Sequence, residues 1–121
     1  MAQVADPQQL PAVVIALPTE IDMANADRAG QQLQSAITPG VRTVIADMMA
    51  TSFCDSSGIS MLVRAHKQAA ANGTGLRLVV ASPAVLRIMT LAGVDQLLPI
   101  YPSLSQALAA PAAPRPETPD T

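Results

Sequence analysis

Short runs of β-branched residues alternate along this chain with longer segments of helical period, and Pro or Gly stands at most of the switches. Ala12 to Leu17 is a continuous apolar run, the pattern of a strand buried on both faces. Pro18 and Thr19 end it. A helix is expected from Asp22, as its cap, to about Thr38, with Ala26, Ala29, Leu33 and Ile37 on one face. Pro39-Gly40 stops that helix, and a second strand follows from Val41 to Asp47. From Ser56 to Ala71 the period is helical again, with Ile59, Leu62, Val63, His66, Ala69 and Ala70 expected as the core-facing stripe. Asn72-Gly73-Thr74-Gly75 is a stop and turn.

A third strand covers Leu76 to Ala81. Ser82-Pro83 then opens a helix to about Ala92, with Ser as N-cap, Pro at the first position and Gly93 beyond the end. A strand at Leu98 to Tyr101 and a helix from Pro102 to Ala110 complete the pattern. Strand and helix alternating through short connections predict right-handed crossovers and parallel pairing. The expected fold class is α/β: a small, mainly parallel sheet of four to five strands flanked by about four helices. Residues 1–10 are a candidate edge strand, interrupted by Pro7. Residues 111–121 carry four prolines and no large apolar side chain, so a folded domain over 1–110 and a disordered tail are expected.

Composition removes several kinds of function. The formal net charge is -2 and only 2% of residues are aromatic, which offers neither a basic footprint for nucleic acid nor a base-stacking platform. Apolar runs are far shorter than the roughly 20 residues a membrane helix needs. The first residues carry Asp6 and no early Lys or Arg, unlike a signal peptide. One Cys and one His make no disulfide and no zinc site. The reading is of a soluble protein of the reducing cytoplasm, without metal or cofactor.

The segment Phe53-Cys54-Asp55-Ser56-Ser57-Gly58-Ile59 is the informative one. Asp-Ser-Ser-Gly ahead of an apolar-periodic segment marks a helix start, and on these residues alone it is most often just a cap. A helix start also leaves N–H groups without intrahelical partners and carries partial positive charge. A phosphoryl group on a serine there would meet donors and a favourable dipole. Catalysis by the same serine fails on geometry. No Gly-x-Ser-x-Gly elbow is present, and His66 stands ten residues along the helix, about 15 Å away at the helical rise. The glycines at 30, 40, 58, 73, 75 and 93 form no phosphate-binding loop. Cys54 is disfavoured as a nucleophile, because Asp55 opposes a thiolate.

Asp47, then Asp55-Ser56-Ser57-Gly58-Ile59 and Leu62, resembles the signature of STAS domains, which include the anti-sigma factor antagonists. Thr19-Glu20-Ile21-Asp22 sits where that family has Gly-Glu-Leu/Ile-Asp. Ser82-Pro83-Ala84-Val85 leading to Leu91-Ala92-Gly93-Val94 matches further along. The resemblance spans roughly residues 11–110. It implies a non-catalytic protein-binding switch whose partner is an anti-sigma factor that is also a GHKL-type serine kinase. Binding would free the sigma factor. The resemblance also implies phosphorylation of Ser56, which breaks the complex, and a PP2C-type phosphatase that restores it. Asp22, Asp55, Ser57 and Gly58 would form the surrounding loop and partner-binding surface. A homodimer stays open, as does a second reading as a scaffold or regulatory subunit of a transport or stress-signalling assembly. Thr19 and Met49 depart from the family pattern, where Gly and Ser are usual.

Overall fold

A computed structural model describes residues 12–111. The expected edge strand at 1–10 and, Pro111 apart, the expected tail lie outside the described residues. The elements in chain order are β1 (Ala12–Ala16), β2 (Glu20–Ile21), α1 (Ala26–Ala36), β3 (Thr43–Met48), β4 (Phe53–Cys54) and α2 (Ser56–Ala71). β5 (Gly75–Val80), α3 (Pro83–Leu91), a 3₁₀ turn (Val94–Gln96), β6 (Ile100–Tyr101) and α4 (Leu104–Ala109) follow. One sheet has the order β1-β3-β5-β6, and β2 and β4 form a separate two-stranded ribbon. Every described pairing is parallel, as short crossovers through helices require.

The central strands β3 and β5 are buried on both faces, whereas β1 exposes Val14 and Ala16 and so is not the fully buried strand expected for Ala12 to Leu17. Val44, Ala46, Met48, Leu76, Leu78 and Val80 pack with Leu33, Leu62, Val85 and Met89 of α1, α2 and α3. Ile45 and Val79 face the other way, onto Ala107 and Leu104 of α4. Arg77 shares that second face and is only 7% exposed. Its guanidinium donates to the Ala107 carbonyl, and also to that of Pro111 at 3.0 Å. A buried cation is tolerable where carbonyls satisfy it, and here it neutralises the negative end of α4. Arg77→Met is therefore expected to cost about 2 kcal/mol, since both carbonyls lose their donor. A fall in the urea midpoint at unchanged slope would show it, with Arg77→Lys recovering part.

The expected bounds of the first helix need correction. The first helix starts at Ala26, not after an Asp22 cap. Asp22 instead turns the chain: its Oδ1 accepts from the Ala24 N–H at 2.9 Å, and its carbonyl accepts from those of Asn25 and Ala26. An aspartate side chain binding two residues ahead competes with helix in this way. The helix also stops at Ala36, ahead of Thr38, because the residue before Pro39 is held out of helical geometry.

The stripe of α2 is also rotated from the one expected. Its buried residues are Gly58, Met61, Leu62, Ala65 and Ala69, whereas Ile59, Val63 and His66 are half-buried and Ala70 is exposed. The arc turns because α2 leans on α1 as well as on the sheet. A Cβ at Gly30 of α1 would stand 2.9 Å from Met61 Cγ, so any larger residue there would require Met61 to shift. The start of α3 and the turn beyond it are as expected. Ser82 Oγ accepts from the Val85 N–H at 3.2 Å, and Gly93 has φ of 80° beyond α3, a conformation that favours glycine.

Candidate functional site

The β2–β4 ribbon brings the singled-out residues together. Glu20 pairs with Phe53 and Ile21 with Cys54, so Asp22 and Asp55 occupy equivalent positions just beyond the two strands. The Asp55 N–H donates to the Ile21 carbonyl at 3.1 Å. Asn25 grips the β2 side: its Oδ1 accepts from the Asp22 N–H at 3.0 Å, while its Nδ2 donates to the Glu20 carbonyl at 2.8 Å.

Asp55 caps α2. Its Oδ1 accepts from the N–H groups of Ser57 at 2.9 Å and Gly58 at 3.4 Å. The Ile59 N–H goes to the Asp55 carbonyl. The free donors that the helix start offers in principle are thus largely taken by this one residue. Ser56 stands at the first helical position with its side chain exposed, while Ser57 is half-buried. Ser57 lines a shallow groove of about 320 Å³ with Met23, Ala26, Asp27, Ser60 and Arg64. The two serines therefore differ: one is presented to solvent, the other to the α1–α2 seam. Asp27 and Arg64 across that seam are 3.9 Å apart and well exposed, so the pair adds little.

Gly58 is where α2 meets the ribbon. A Cβ there would run into the Cys54 Sγ and come within 2.9 Å of Ile21 Cγ2. Cys54 is 1% exposed. Burial, with help from the Asp55 charge, pushes its thiol up to about 11, so the thiolate of a nucleophile is absent near neutral pH. Because the folded thiol holds its proton above the ordinary value of 9.0, the unfolded chain loses that proton first. Stability should fall as pH rises from about 9 towards 11, and the extra slope should vanish in Cys54→Ala. Thermal denaturation across that range checks it.

Met23, Met49 and Phe53 are exposed around this end of the ribbon, Met23 to 80%. Glu20, Asp22, Asp47 and Asp55 share the same end, and none has an ion-pair partner among the described residues. No group of His, Cys, Asp and Glu among the described residues could hold a metal ion. Two contributors escaped sequence reasoning: Asn25 and, described below, Thr51. Their signals are weak, because a polar residue in a loop shows no sign of which carbonyl it will reach.

Residues 3–107 match the STAS domain family. The chain belongs to that family. An anti-sigma factor antagonist from Mycobacterium paratuberculosis has the same fold, with TM-score 0.76 and 28% identity over 84% of this chain and 86% of that one. A sulfate transporter family protein from Wolinella succinogenes superimposes with TM-score 0.73 at 19% identity, covering 87% and 93%. The anti-sigma factor antagonist SpoIIAA in its unphosphorylated form does so with TM-score 0.68 at 24% identity, covering 82% and 86%. The last two likenesses concern the STAS fold alone. No helix among the described residues is long and apolar enough to cross a membrane.

Proposed function

We propose that this STAS domain is an anti-sigma factor antagonist controlled by phosphorylation at Ser56. The observation that carries the reading is the exposed Ser56 at the first position of α2, beside Asp55 and Asp22. The likeness to the mycobacterial antagonist supports it. In this reading the chain is a substrate and a ligand, not a catalyst. It binds an anti-sigma factor that is also a GHKL-type serine kinase, and the kinase holds the ATP and magnesium. Transfer of the γ-phosphoryl group to the Ser56 hydroxyl releases ADP and ends binding. A PP2C-type phosphatase hydrolyses the ester and restores the free serine. All of this takes place in the cytoplasm.

The physical basis is local charge. A phosphoserine carries about -1.5 to -2 near neutral pH. Asp55 already engages the Ser57 and Gly58 N–H groups, so fewer helix donors remain for the new charge, which stays at the surface beside two carboxylates. Incubating the purified chain with each GHKL-type kinase of its organism and ATP, then mapping phosphopeptides, tests the reading. One phosphate on Ser56, absent from Ser56→Ala, is expected; modification elsewhere, or none with any kinase, counts against it.

The likeness to the sulfate transporter family protein favours one second reading, a regulatory module of a transport assembly. There Ser56 only starts a helix, and a negative charge at that position leaves partner binding unchanged.

A further inference from the structure

The ribbon that carries the site has two residues per strand. Two-stranded pairings of this size are not stable by themselves, so other contacts must set where Asp22 and Asp55 stand. α2 holds the inner side through Gly58. The other fixing point is Thr51, in the connection between β3 and β4. Although it lies in a loop, Thr51 is 1% exposed. Its Oγ1 donates to the Pro18 carbonyl at 2.7 Å and its N–H to the Met48 carbonyl at 3.0 Å. The next N–H, that of Ser52, donates to the Thr19 carbonyl at 2.8 Å.

Pro18 and Thr19 feed β2, and Thr51 and Ser52 feed β4. The Thr51 hydroxyl therefore clamps the two incoming connections together just before the ribbon's own pairing begins at Glu20 and Phe53. The Ser52 hydroxyl also reaches the Thr19 carbonyl, but at 3.4 Å and exposed, and it leaves the Pro18 carbonyl untouched. The bond is half-buried, Thr51 being buried and Pro18 exposed, so removing the hydroxyl loses the bond's own contribution of about 1 kcal/mol, near tenfold in an opening equilibrium.

We propose that Thr51 is a positioning residue for the phosphosite. Its hydroxyl sets the height of β4 against β2, and through β4 the Asp55 cap and the presentation of Ser56. The functional consequence rests on Ser56 being the modified residue; the geometric consequence does not.

Thr51→Val keeps volume and β-branching and removes the hydroxyl, whereas Thr51→Ser keeps the hydroxyl and removes a methyl. Amide hydrogen exchange of the full chain, followed by NMR, reads the ribbon directly. In Thr51→Val the Ser52 and Asp55 amides should exchange about tenfold faster or more, while the β3 and β5 ladders keep their rates. Thr51→Ser should restore slow exchange at both amides. Phosphorylation of Ser56 by its kinase should fall by a similar factor in kcat/KM for Thr51→Val and recover in Thr51→Ser. Should Thr51→Val fail to fold, Thr51→Ala is compared with Thr51→Ser by the same readouts. Unchanged exchange at Ser52 and Asp55, equal acceleration throughout β3 and β5, or an equal loss in Thr51→Ser overturns the assignment. If no kinase modifies the wild-type chain, the switch reading fails while the exchange rates still decide the role of Thr51.

Discussion

Ser56→Asp should weaken binding to the proposed anti-sigma factor partner by about a hundredfold, close to 3 kcal/mol, while leaving the fold as stable as before. The second half follows from exposure. Ser56 makes no side-chain hydrogen bond among the described residues and sits in solvent at the start of α2. Surface substitutions away from such contacts stay within about 0.5 kcal/mol. Here two small effects also oppose each other, the helix dipole favouring a carboxylate and Asp55 repelling it. The first half follows from desolvation. A partner that covers Ser56 must strip water from a new charge, while the capped helix end has given its Ser57 and Gly58 donors to Asp55, and a poorly satisfied charge buried at an interface is costly. Ser56→Asn, similar in size and neutral, should retain affinity within a few-fold. The phosphorylated protein should bind more weakly than Ser56→Asp, because phosphate carries more charge than a carboxylate. Titration calorimetry on the three forms orders them. Equal affinity of Ser56→Asp and wild type removes the switch and favours the transport-module reading.

The scarcity of charge, 13% of the chain, bears on that prediction. On a surface with few fixed charges, one phosphate is a large local change. It would join an end of the molecule where Glu20, Asp22, Asp47 and Asp55 lack ion-pair partners among the described residues. The effect should be largest at low salt, and should persist in part at physiological salt because the contact excludes the screening solvent.

The main sheet and the starts of α2 and α3 were legible because each rests on a local rule. The β-branched runs of β3 and β5 report burial on both sides, though that of β1 does not; Asp55 and Ser82 report caps, and Gly93 reports a left-handed turn. The ribbon was not legible. Phe53-Cys54 and Glu20-Ile21 are too short to show a period, and their pairing is a tertiary fact about residues more than 30 apart. The stripe of α2 was misplaced for a related reason. Gly58 and Ala65 give little apolar signal, yet they are buried because small side chains admit close neighbours; Ile59 and Val63 look more apolar and pack less. Asp22 was misread as a helix cap because its turn and a capping turn begin with the same residue type. Of the site, the identities of Asp22, Asp55, Ser56, Ser57 and Gly58 came from the chain's motifs. That Asp22 and Asp55 stand side by side was expected and agrees with the fold; the ribbon that aligns them, and the supports supplied by Asn25 and Thr51, came only from the fold.

Gly58→Ala should be the most damaging change of a single methyl at this site, lowering stability by about 2 kcal/mol even though alanine is the better helix former. On an exposed helix the same substitution would gain up to about 1 kcal/mol. Here the added Cβ would occupy the space of the Cys54 Sγ and stand 2.9 Å from Ile21 Cγ2. Both neighbours belong to the ribbon, and both are buried. Either α2 lifts away or the ribbon yields, and in either case Asp55 is drawn from the Ser57 and Gly58 amides. The cause can be isolated with a second substitution. Cys54→Ala removes the sulfur and by itself should cost about 1 kcal/mol for the cavity left. In Gly58→Ala/Cys54→Ala the new methyl takes part of the vacated space, so the pair should cost less than the sum by about 1 kcal/mol. Urea denaturation of the four proteins measures that difference. Strict additivity would mean that the contact with Cys54 is not what demands glycine, leaving Ile21 as the constraint and Ile21→Val as the substitution that relieves it.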